Sequence, residues 1–432
     1  MAYRLETLAL HAGQQPDPAT RASAVPVYRT TAYAFDSAQQ VADLFALKAS
    51  GNIYSRMMNP TNDVLEKRLA ALESGAAGLS MASGTAGIYF TITNILTQGD
   101  ELVSASNLYG GTYTLFDAIL PQQGITVRFT PVNDFAAVES ALNSRTRALY
   151  IETIGNPGLE IADIERYAQI ARKHALPLIV DSTFTTPALC RPIEWGADVV
   201  IHSLSKWIGG HGTGIGGIVI DAGKFDWSND KFSLYNQPDK GYHGLRFSRD
   251  LGELNPLAFI VRLRTVGLRN QGATLSPDSA WQFLQGVESL PLRMARHSEN
   301  ALAVARFLEK HPQVAWVRYP GLESDPSYSL AKQYLPSGAG SMVVFGLKSG
   351  AVGGRKLVET IPLFTHLANV GDAKSLIIHP ASTTHSQLSE EDQKKAGLQP
   401  ELVRLSIGLE HIDDIIAALE EGLGKLGVRS EE

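Results

Sequence analysis

The chain has 432 residues, of which 44% are hydrophobic and 19% charged, and its formal net charge is −6. This length exceeds what one hydrophobic core usually organises, so two domains are expected. The acidic balance and the absence of a basic run disfavour binding to nucleic acid or to an anionic membrane. The single cysteine, Cys190, excludes internal disulfides and cysteine-based metal clusters.

The start of the chain and its hydropathy favour a soluble, cytoplasmic protein. Residues 1–7 lack the basic start and following apolar stretch that are typical of a secretory signal. No uninterrupted apolar segment of about 18 residues is present that could span a bilayer. The histidines show no spacing typical of metal ligands, so no metal site is predicted.

The chain begins with an arm and then alternates between helices and strands. Residues 1–60 are rich in Pro, Gly, Thr and Gln, which predicts an extended arm. From residue 61 onward, apolar residues at helical spacing alternate with short apolar runs, which predicts an α/β fold with a mostly parallel sheet. A helix is predicted over 163–174. Strands are predicted over 101–104, 126–129, 148–151, 178–181, 199–202 and 217–220.

The second half of the chain has a different character. Residues 225–285 show weaker periodicity and many aromatic, Gly and Asn residues, which predicts a long surface excursion before a helix. Beyond it, the pattern predicts helices over 300–310 and 412–423 and strands over 341–345 and 402–406. We therefore expect an arm (1–60), a large domain (61–285) and a small α+β domain (286–432).

A lysine and a carboxylate follow two neighbouring predicted strands. Ser203, Ser205 and Lys206 come after one strand, and Asp181 ends the preceding one. Ligands bind at the carboxyl ends of parallel strands, where these side chains would meet. A lysine can form a Schiff base with the aldehyde of pyridoxal phosphate (PLP), a carboxylate can keep its pyridine nitrogen protonated, and hydroxyls can hold its phosphate. The ordinary alternatives are a solvated surface lysine for Lys206 and a helix N-cap or turn residue for Asp181. The occurrence of both residues at neighbouring strand ends disfavours these alternatives.

Two glycine-containing segments are candidates for phosphate binding. Ser83, Gly84 and Thr85 precede a helical pattern, so their backbone N–H groups can face a phosphate, although a plain helix start fits the same residues. Residues 212–217 match the G-x-G-x-x-G fingerprint of dinucleotide folds. A strand pattern follows where that fingerprint demands a helix, so a loop is predicted there.

Further candidate residues are single aromatic or cationic side chains. Tyr109 can stack on a planar ring, although an isolated tyrosine is more often part of a core. Arg404 lies inside an apolar strand pattern, where a bidentate carboxylate ligand would supply the partner that an arginine needs. Tyr54 and Arg56 lie near the end of the arm, where an exposed arginine is the ordinary case.

Several segments together resemble the Cys/Met metabolism family of PLP enzymes over nearly the whole chain. They are residues 7–13, 54–61, 83–85, 156–157, 180–184, 202–206 and 379–382. The resemblance implies the aspartate aminotransferase fold, also called fold type I. It implies a Schiff-base lysine and a pyridine partner, a ring-stacking tyrosine, phosphate ligands, and a substrate clamp. Lys206 is the implied Schiff-base lysine, Asp181 the pyridine partner and Tyr109 the ring-stacking tyrosine. Arg404 with Asn156 is the implied substrate clamp. The implied phosphate ligands are Ser83, Gly84, Thr85, Ser203 and Ser205.

The resemblance also concerns assembly. In this family the tyrosine and arginine of the arm reach the neighbouring subunit's site, so Tyr54 and Arg56 are expected to bind the partner's phosphate. Tyr54 and Tyr109 are expected to assist acid and base steps. A dimer would then be the minimum catalytic unit and a homotetramer the usual assembly.

Departures within the family narrow the expected reaction. The excursion at 225–277 and residues 369–376 resemble the sulfhydrylase branch, and Gly111 stands where methionine γ-lyase has a cysteine. The implied reaction replaces the acetate of O-acetyl-L-homoserine by sulfide, giving homocysteine, or by methanethiol, giving methionine. A cystathionine γ-synthase or γ-lyase, an O-succinylhomoserine sulfhydrylase and a non-catalytic PLP-binding relative remain alternatives.

Overall fold

Two β-sheets with surrounding helices organise residues 3–383 and 399–427, the parts of the chain that a computed structural model describes. The strands are β1 (Ala77–Met81), β2 (Glu101–Ala105), β3 (Thr126–Thr130), β4 (Thr146–Glu152), β5 (Leu178–Asp181), β6 (Val199–Ser203), β7 (Gly217–Asp221), β8 (Val314–Arg318), β9 (Met342–Leu347), β10 (Thr365–His366), β11 (Leu376–Ile378) and β12 (Leu402–Ser406).

The α-helices are α1 (Leu5–His11), α2 (Ala38–Phe45), α3 (Pro60–Leu72), α4 (Gly84–Ile95), α5 (Gly110–Thr114), α6 (Phe135–Ala141), α7 (Ile164–Lys173), α8 (Thr186–Leu189), α9 (Ser233–Asn236), α10 (Ala258–Arg262), α11 (Arg269–Gln271), α12 (Pro277–Glu288), α13 (Leu290–Lys310), α14 (Tyr328–Tyr334), α15 (Gly350–Thr360) and α16 (Ile412–Gly427). Short π- and 3₁₀-helices lie at Leu115–Ile119, Leu120–Gln123, Pro192–Trp195, Lys240–Tyr242, Gly252–Leu257, Leu263–Leu268 and Pro380–Ser382. None of the helices in these residues is both long and apolar enough to cross a membrane.

The larger sheet has the strand order β1-β7-β6-β5-β4-β2-β3 in the described residues. Strands β2 to β6 run parallel to one another, and β7 is antiparallel to its neighbours β1 and β6. This confirms the α/β fold with a mostly parallel sheet. Each strand predicted for this sheet forms. Strand β1 was not predicted, because its residues include none of the β-branched or aromatic types that are typical of strands.

The two faces of this sheet belong to different hydrophobic cores. Alternate residues of a strand point to opposite faces. Ile179 and Ile201 pack in the core that contains α4 and the aromatic residues of the excursion. Val180 and Val200 pack in the core that continues into the smaller sheet, which has the order β10-β11-β12-β9-β8 in the part described. Because both faces are covered, the strands read as continuous Val and Ile runs.

The excursion is less superficial than predicted. Its aromatic residues Trp227, Phe232, Phe247 and Phe259 are at most 3% exposed and pack against the sheet and α4. The prediction of a surface excursion is therefore wrong for these side chains. Local periodicity did not reveal their burial because short helices and turns bring them together from across the segment.

The arm and the helix α13 differ from what the sequence predicted. The arm contains the helices α1 and α2, and the fully buried Arg68 of α3 holds the start of the arm through the carbonyl of Ala12 at 3.0 Å. Helix α13 begins at Leu290, so it is longer than the predicted helix over 300–310. Strands β9 and β12 and helix α16 form where they were predicted. The division of the chain at residues 60 and 285 stays a prediction.

Candidate active site

A cavity of about 390 Å³ lies at the carboxyl ends of β4, β5 and β6 and reaches the smaller sheet. Most of the residues predicted from the sequence line it. They are Ser83, Gly84, Thr85, Tyr109, Asn156, Asp181, Ser203, Ser205, Lys206 and Arg404. A larger cleft of about 750 Å³, beside α7, contains none of them. We therefore place the candidate site in the smaller cavity, which the predicted site residues line.

Lys206 extends into this cavity from the turn that follows β6. Its Nζ atom donates a hydrogen bond to Oδ1 of Asn369 at 2.6 Å. Burial, and then the positive charge of Arg404, lower the pKa of Lys206. Both effects favour the neutral amine, which is the nucleophilic form of a lysine. Asn369 was not predicted as a site residue, although it begins the segment 369–376 that resembles the sulfhydrylase branch.

Asp181 and Glu152 lie side by side at the ends of β5 and β4, where they are register partners. Asp181 accepts a hydrogen bond from the backbone N–H of Thr183 at 2.9 Å, and Glu152 accepts one from the N–H of Tyr109 at 2.8 Å. Burial raises the pKa of Asp181, and burial together with the Asp181 charge raises the pKa of Glu152 well above its ordinary value. A cation facing Asp181 would favour its ionised form.

Glu152 was not predicted as a site residue. It directly follows the apolar run predicted over 148–151, just as Asp181 ends the run predicted over 178–181. The signal was therefore present in the sequence. Its carboxyl group holds the backbone of Tyr109 and so helps to place that ring at the cavity.

One end of the site is built around the first turn of α4. The hydroxyl of Ser83 caps this helix by accepting from the N–H of Ala86 at 3.0 Å. The N–H groups of Gly84 and Thr85 lie in the first turn, where helix geometry offers them no carbonyl partner. A Cβ atom at Gly84 would lie 2.8 Å from Cβ of Ser203, so only glycine lets the helix approach β6 this closely.

The hydroxyl of Ser205 already has a structural contact in this region. It accepts a hydrogen bond from the N–H of Gly216 at 3.0 Å. Gly216 belongs to the loop that precedes β7, an antiparallel strand. The glycine-rich segment therefore leads into a strand, in agreement with the loop predicted there.

The opposite end of the site joins the two sheets. Arg404 of β12 is 7% exposed, and its Nη1 atom donates to Oδ1 of Asn156 at 3.1 Å. Burial lowers the pKa of Arg404 to about 10, which leaves the guanidinium charged at neutral pH. The ring of Tyr109 is 51% exposed at the cavity. A Cβ atom at Gly111 would lie 2.6 Å from this ring, so the glycine leaves room for it.

Tyr54 and Arg56 are the predicted residues that do not line this cavity. Tyr54 is 40% exposed, and the guanidinium carbon of Arg56 lies 5.2 Å from the centre of its ring. The two side chains form a cation–π pair on the arm. Their own chain therefore does not bring them to its site.

The residues that line the cavity fit PLP. The amine of Lys206 can reach an aldehyde, and the carboxylate of Asp181 can face a pyridine nitrogen. The tight approach at Gly84 leaves backbone donors at a helix start for a phosphate. The volume of the cavity lies in the range of small-molecule sites.

Comparison with known proteins agrees with this chemistry. The profile of a family described as Cys/Met metabolism PLP-dependent enzymes matches residues 6–424. The chain belongs to this family. PLP is therefore its cofactor, as the sequence predicted.

Curated relatives cover almost the whole chain. The O-acetyl-L-homoserine sulfhydrylase of Leptospira meyeri is 51% identical over 427 residues, which are 98% of this chain and 97% of that protein. O-acetyl-L-homoserine sulfhydrylase 1 of Thermus thermophilus is 51% identical and is covered over its full length, together with 97% of this chain. The homocysteine synthase of Schizosaccharomyces pombe is 50% identical, with 97% of each chain covered.

A solved structure shares the fold. It is the crystal structure of a putative O-acetylhomoserine (thiol)-lyase from Campylobacter jejuni with N'-pyridoxyl-lysine-5'-monophosphate. The two chains superpose with a TM-score of 0.94 at 42% identity, over 98% of this chain and all of that one. This confirms fold type I, which the resemblance implied.

Proposed function

We propose that this protein is an O-acetyl-L-homoserine sulfhydrylase. It exchanges the acetate of O-acetyl-L-homoserine for sulfide and gives L-homocysteine, or uses methanethiol and gives methionine. The observation that carries the proposal is the convergence of Lys206, Asp181 and Arg404 on one cavity. Relatives with this activity in their names, 51% identical over almost the whole chain, support the same reaction.

Each residue has a part that follows from its position. PLP, when bound, supplies an electron-accepting ring that makes the substrate's C–H bonds acidic. Arg404 and Asn156 bind the substrate α-carboxylate, and Nζ of Lys206 removes the proton from Cα. Asp181 would hold the proton on the pyridine nitrogen of bound PLP. The first turn of α4, with Ser203 and Ser205, would hold its phosphate.

The replacement itself takes place at Cγ of the substrate. Nζ of Lys206 carries protons to and from the substrate carbons, so that a Cβ proton is lost and acetate leaves from Cγ. The sulfur of hydrogen sulfide then forms a bond to the same carbon, and the protons return. Tyr109 would stack on the pyridine ring of bound PLP, and together with a Tyr54 contributed by the neighbouring chain it assists these proton transfers.

A direct assay tests this function. Purified protein that is given O-acetyl-L-homoserine and sulfide should release homocysteine and acetate in equal amounts. Lys206→Ala should lower the rate by about a thousandfold or more, because the base and the cofactor anchor are lost together. Lys356→Ala, at an exposed helix position, is the matched control. An unchanged rate in Lys206→Ala would refute the assigned role.

A substrate panel separates the alternatives within the family. Cysteine in place of sulfide would give cystathionine if the protein were a cystathionine γ-synthase, and release of an α-keto acid would indicate a lyase. O-succinyl-L-homoserine tests the choice of ester. We expect the highest kcat/KM with the acetyl ester and sulfide.

We also infer that neighbouring subunits share their active sites. Tyr54 and Arg56 lie outside the cavity of their own chain, which is where residues that serve a partner's phosphate would lie. The proposed assembly is a homotetramer built from such dimers. A cytoplasmic location, the simplest fit to a chain with a single cysteine, belongs to the same proposal.

A further inference from the structure

We propose that the excursion contains a clamp that fixes the arm for the neighbouring subunit, with Thr274 as a positioning residue. The arm clamp consists of Tyr242, Arg264, Arg269 and Thr274. The inference rests on the proposed sharing of active sites and gives the excursion a role in it. Each clamp residue contacts the arm or the rings beside it, as the following contacts show.

Thr274 holds the arm at the residue that is proposed to bind the partner's phosphate. Its hydroxyl donates to the backbone carbonyl of Arg56 at 2.9 Å. The preceding carbonyl, that of Ala273, accepts from the N–H of Ala82 at 2.8 Å. Ala82 stands directly before Ser83, the cap of α4. Residues 273 and 274 therefore connect the arm of one chain to the phosphate turn of the same chain.

Arg264 holds the next residue of the arm. Its Nη1 atom donates to the carbonyl of Met57 at 2.5 Å. Its Nη2 atom donates to Oε2 of the buried Glu66 at 2.5 Å and to the carbonyl of Gly78 at 3.2 Å. The guanidinium group is a rigid fork of donors, and its bond to a carboxylate is charge-assisted. The arm is thereby fixed to α3 and β1.

The clamp has a second attachment, at the end of α2. The hydroxyl of Tyr242 donates to the carbonyl of Phe45 at 2.9 Å. The guanidinium carbon of Arg269 lies 6.0 Å from the ring centre of Phe45 and 5.8 Å from that of Tyr242. The excursion therefore holds the arm at two places, one on each side of Tyr54.

This arrangement fixes the backbone and leaves the side chains available. The carbonyls of Arg56 and Met57 are bound by the clamp, whereas the side chain of Tyr54 is 40% exposed and stacks with that of Arg56. A group that is ordered before it meets its ligand loses less conformational entropy on binding. The clamp thus presents Tyr54 and Arg56 to a second copy of the chain.

The test compares PLP affinity among variants of the whole enzyme. Thr274→Val removes the hydroxyl with little change in shape and should weaken PLP binding about threefold to tenfold, the effect of one lost hydrogen bond. Thr274→Ser keeps the hydroxyl and should bind PLP like the wild type. Thr360→Val is the matched control, because the hydroxyl of Thr360 also donates to a backbone carbonyl, at 2.8 Å, far from the arm.

Hybrid enzymes show which site the clamp serves. In a hybrid of Arg56→Ala and Lys206→Ala chains, separated from both parent homo-oligomers, the productive site has Lys206 from the first chain and Arg56 from the second. Borohydride fixes PLP covalently only where Lys206 is present, so titration with PLP reports the affinity of that site. Thr274→Val should weaken PLP binding when placed on the Lys206→Ala chain, and it should have no effect on the other chain.

Each result leads to a definite conclusion. Equal PLP affinity in Thr274→Val, Thr274→Ser and Thr360→Val overturns the clamp. An effect confined to the chain that carries Lys206 also overturns it, because Thr274 would then act on its own site through Ala82. If Arg56→Ala itself leaves PLP affinity unchanged, the sharing of sites is wrong and the clamp fails with it. A fall in the melting temperature of Thr274→Val beyond that of Thr360→Val would indicate a general structural role instead.

Discussion

At the scale of single residues, the site depends on charged groups placed where burial costs free energy. Arg404 lies on a strand whose other residues are buried, and Asn156 is its partner across the two sheets. Burying a cation without a counter-charge is unfavourable, so the guanidinium is prepared for an anion. The same burial, and then that positive charge, lower the pKa of the nearby Lys206, which favours its neutral form.

Arg404→Lys tests this residue. A lysine cannot form two parallel hydrogen bonds to a carboxylate, so we expect KM for O-acetyl-L-homoserine to rise about tenfold to a hundredfold. PLP affinity should stay the same, because the cofactor's phosphate is bound elsewhere. Arg296→Lys, in an exposed pair with Glu299, serves as the control and should leave KM unchanged. A KM unaffected by Arg404→Lys would contradict the assigned role.

At the scale of elements, buried polar contacts attach the excursion to the sheet and to α4. Asp221 ends β7 and accepts from the N–H groups of Gly223 at 2.8 Å and of Ile260, in α10, at 3.3 Å. Arg262 in the same helix donates to Oδ1 of Asn94 in α4 at 2.7 Å. These contacts hold the excursion in place, and the arm clamp depends on that position.

The attachment at Asp221 gives stability a specific pH dependence. Burial raises the pKa of Asp221 from 3.8 to about 7. The unfolded chain therefore binds fewer protons than the folded one between these values, and stability falls as the pH rises from about 4 to 7. Asp221→Asn removes this loss, which amounts to about 4 kcal/mol at most.

Denaturant unfolding at pH 5 and pH 8 measures this effect. The free energy of unfolding of Asp221→Asn, relative to wild type, should increase between the two pH values. The sign of the change with pH is the prediction, since asparagine also loses one of the two backbone contacts. Asp117→Asn, at an exposed position, should show a constant difference. A flat difference for Asp221→Asn would show that its carboxyl ionises normally in the fold.

At the scale of the whole molecule, the site needs parts from both sheets and, as proposed, from a second chain. Asp181 and Lys206 follow strands of the larger sheet, and Arg404 belongs to the smaller one. In the proposed assembly the arm would extend the same principle to the neighbouring chain, since Tyr54 and Arg56 do not line the cavity of their own chain. Folding of one chain would then leave the phosphate end of its site incomplete.

The assembly is expected to control activity. Sedimentation of the holoenzyme should show particles of four 46.7 kDa chains. On dilution, dimers should keep their activity, whereas monomers should lose both PLP and activity because the partner's arm has left. Addition of the Lys206→Ala chain, which still carries an intact arm, should restore activity to diluted wild type. Full activity in monomers would contradict the shared site.

The mostly parallel sheet and the places of Lys206 and Asp181 could be predicted from the amino-acid sequence because their signals are local, and Arg404 was marked as a cation inside an apolar run. Apolar runs mark buried strands, and a polar residue at the end of such a run lies at the binding edge of the sheet. Glu152 also stands at the end of an apolar run but was not predicted as a site residue. Strand β1 was not predicted because it has no β-branched or aromatic residues. The contact between Lys206 and Asn369, the burial of the excursion and the contacts that hold the arm became visible only in the folded chain. These depend on residues far apart in the chain, whose meeting is set by packing and has no pattern in the local sequence.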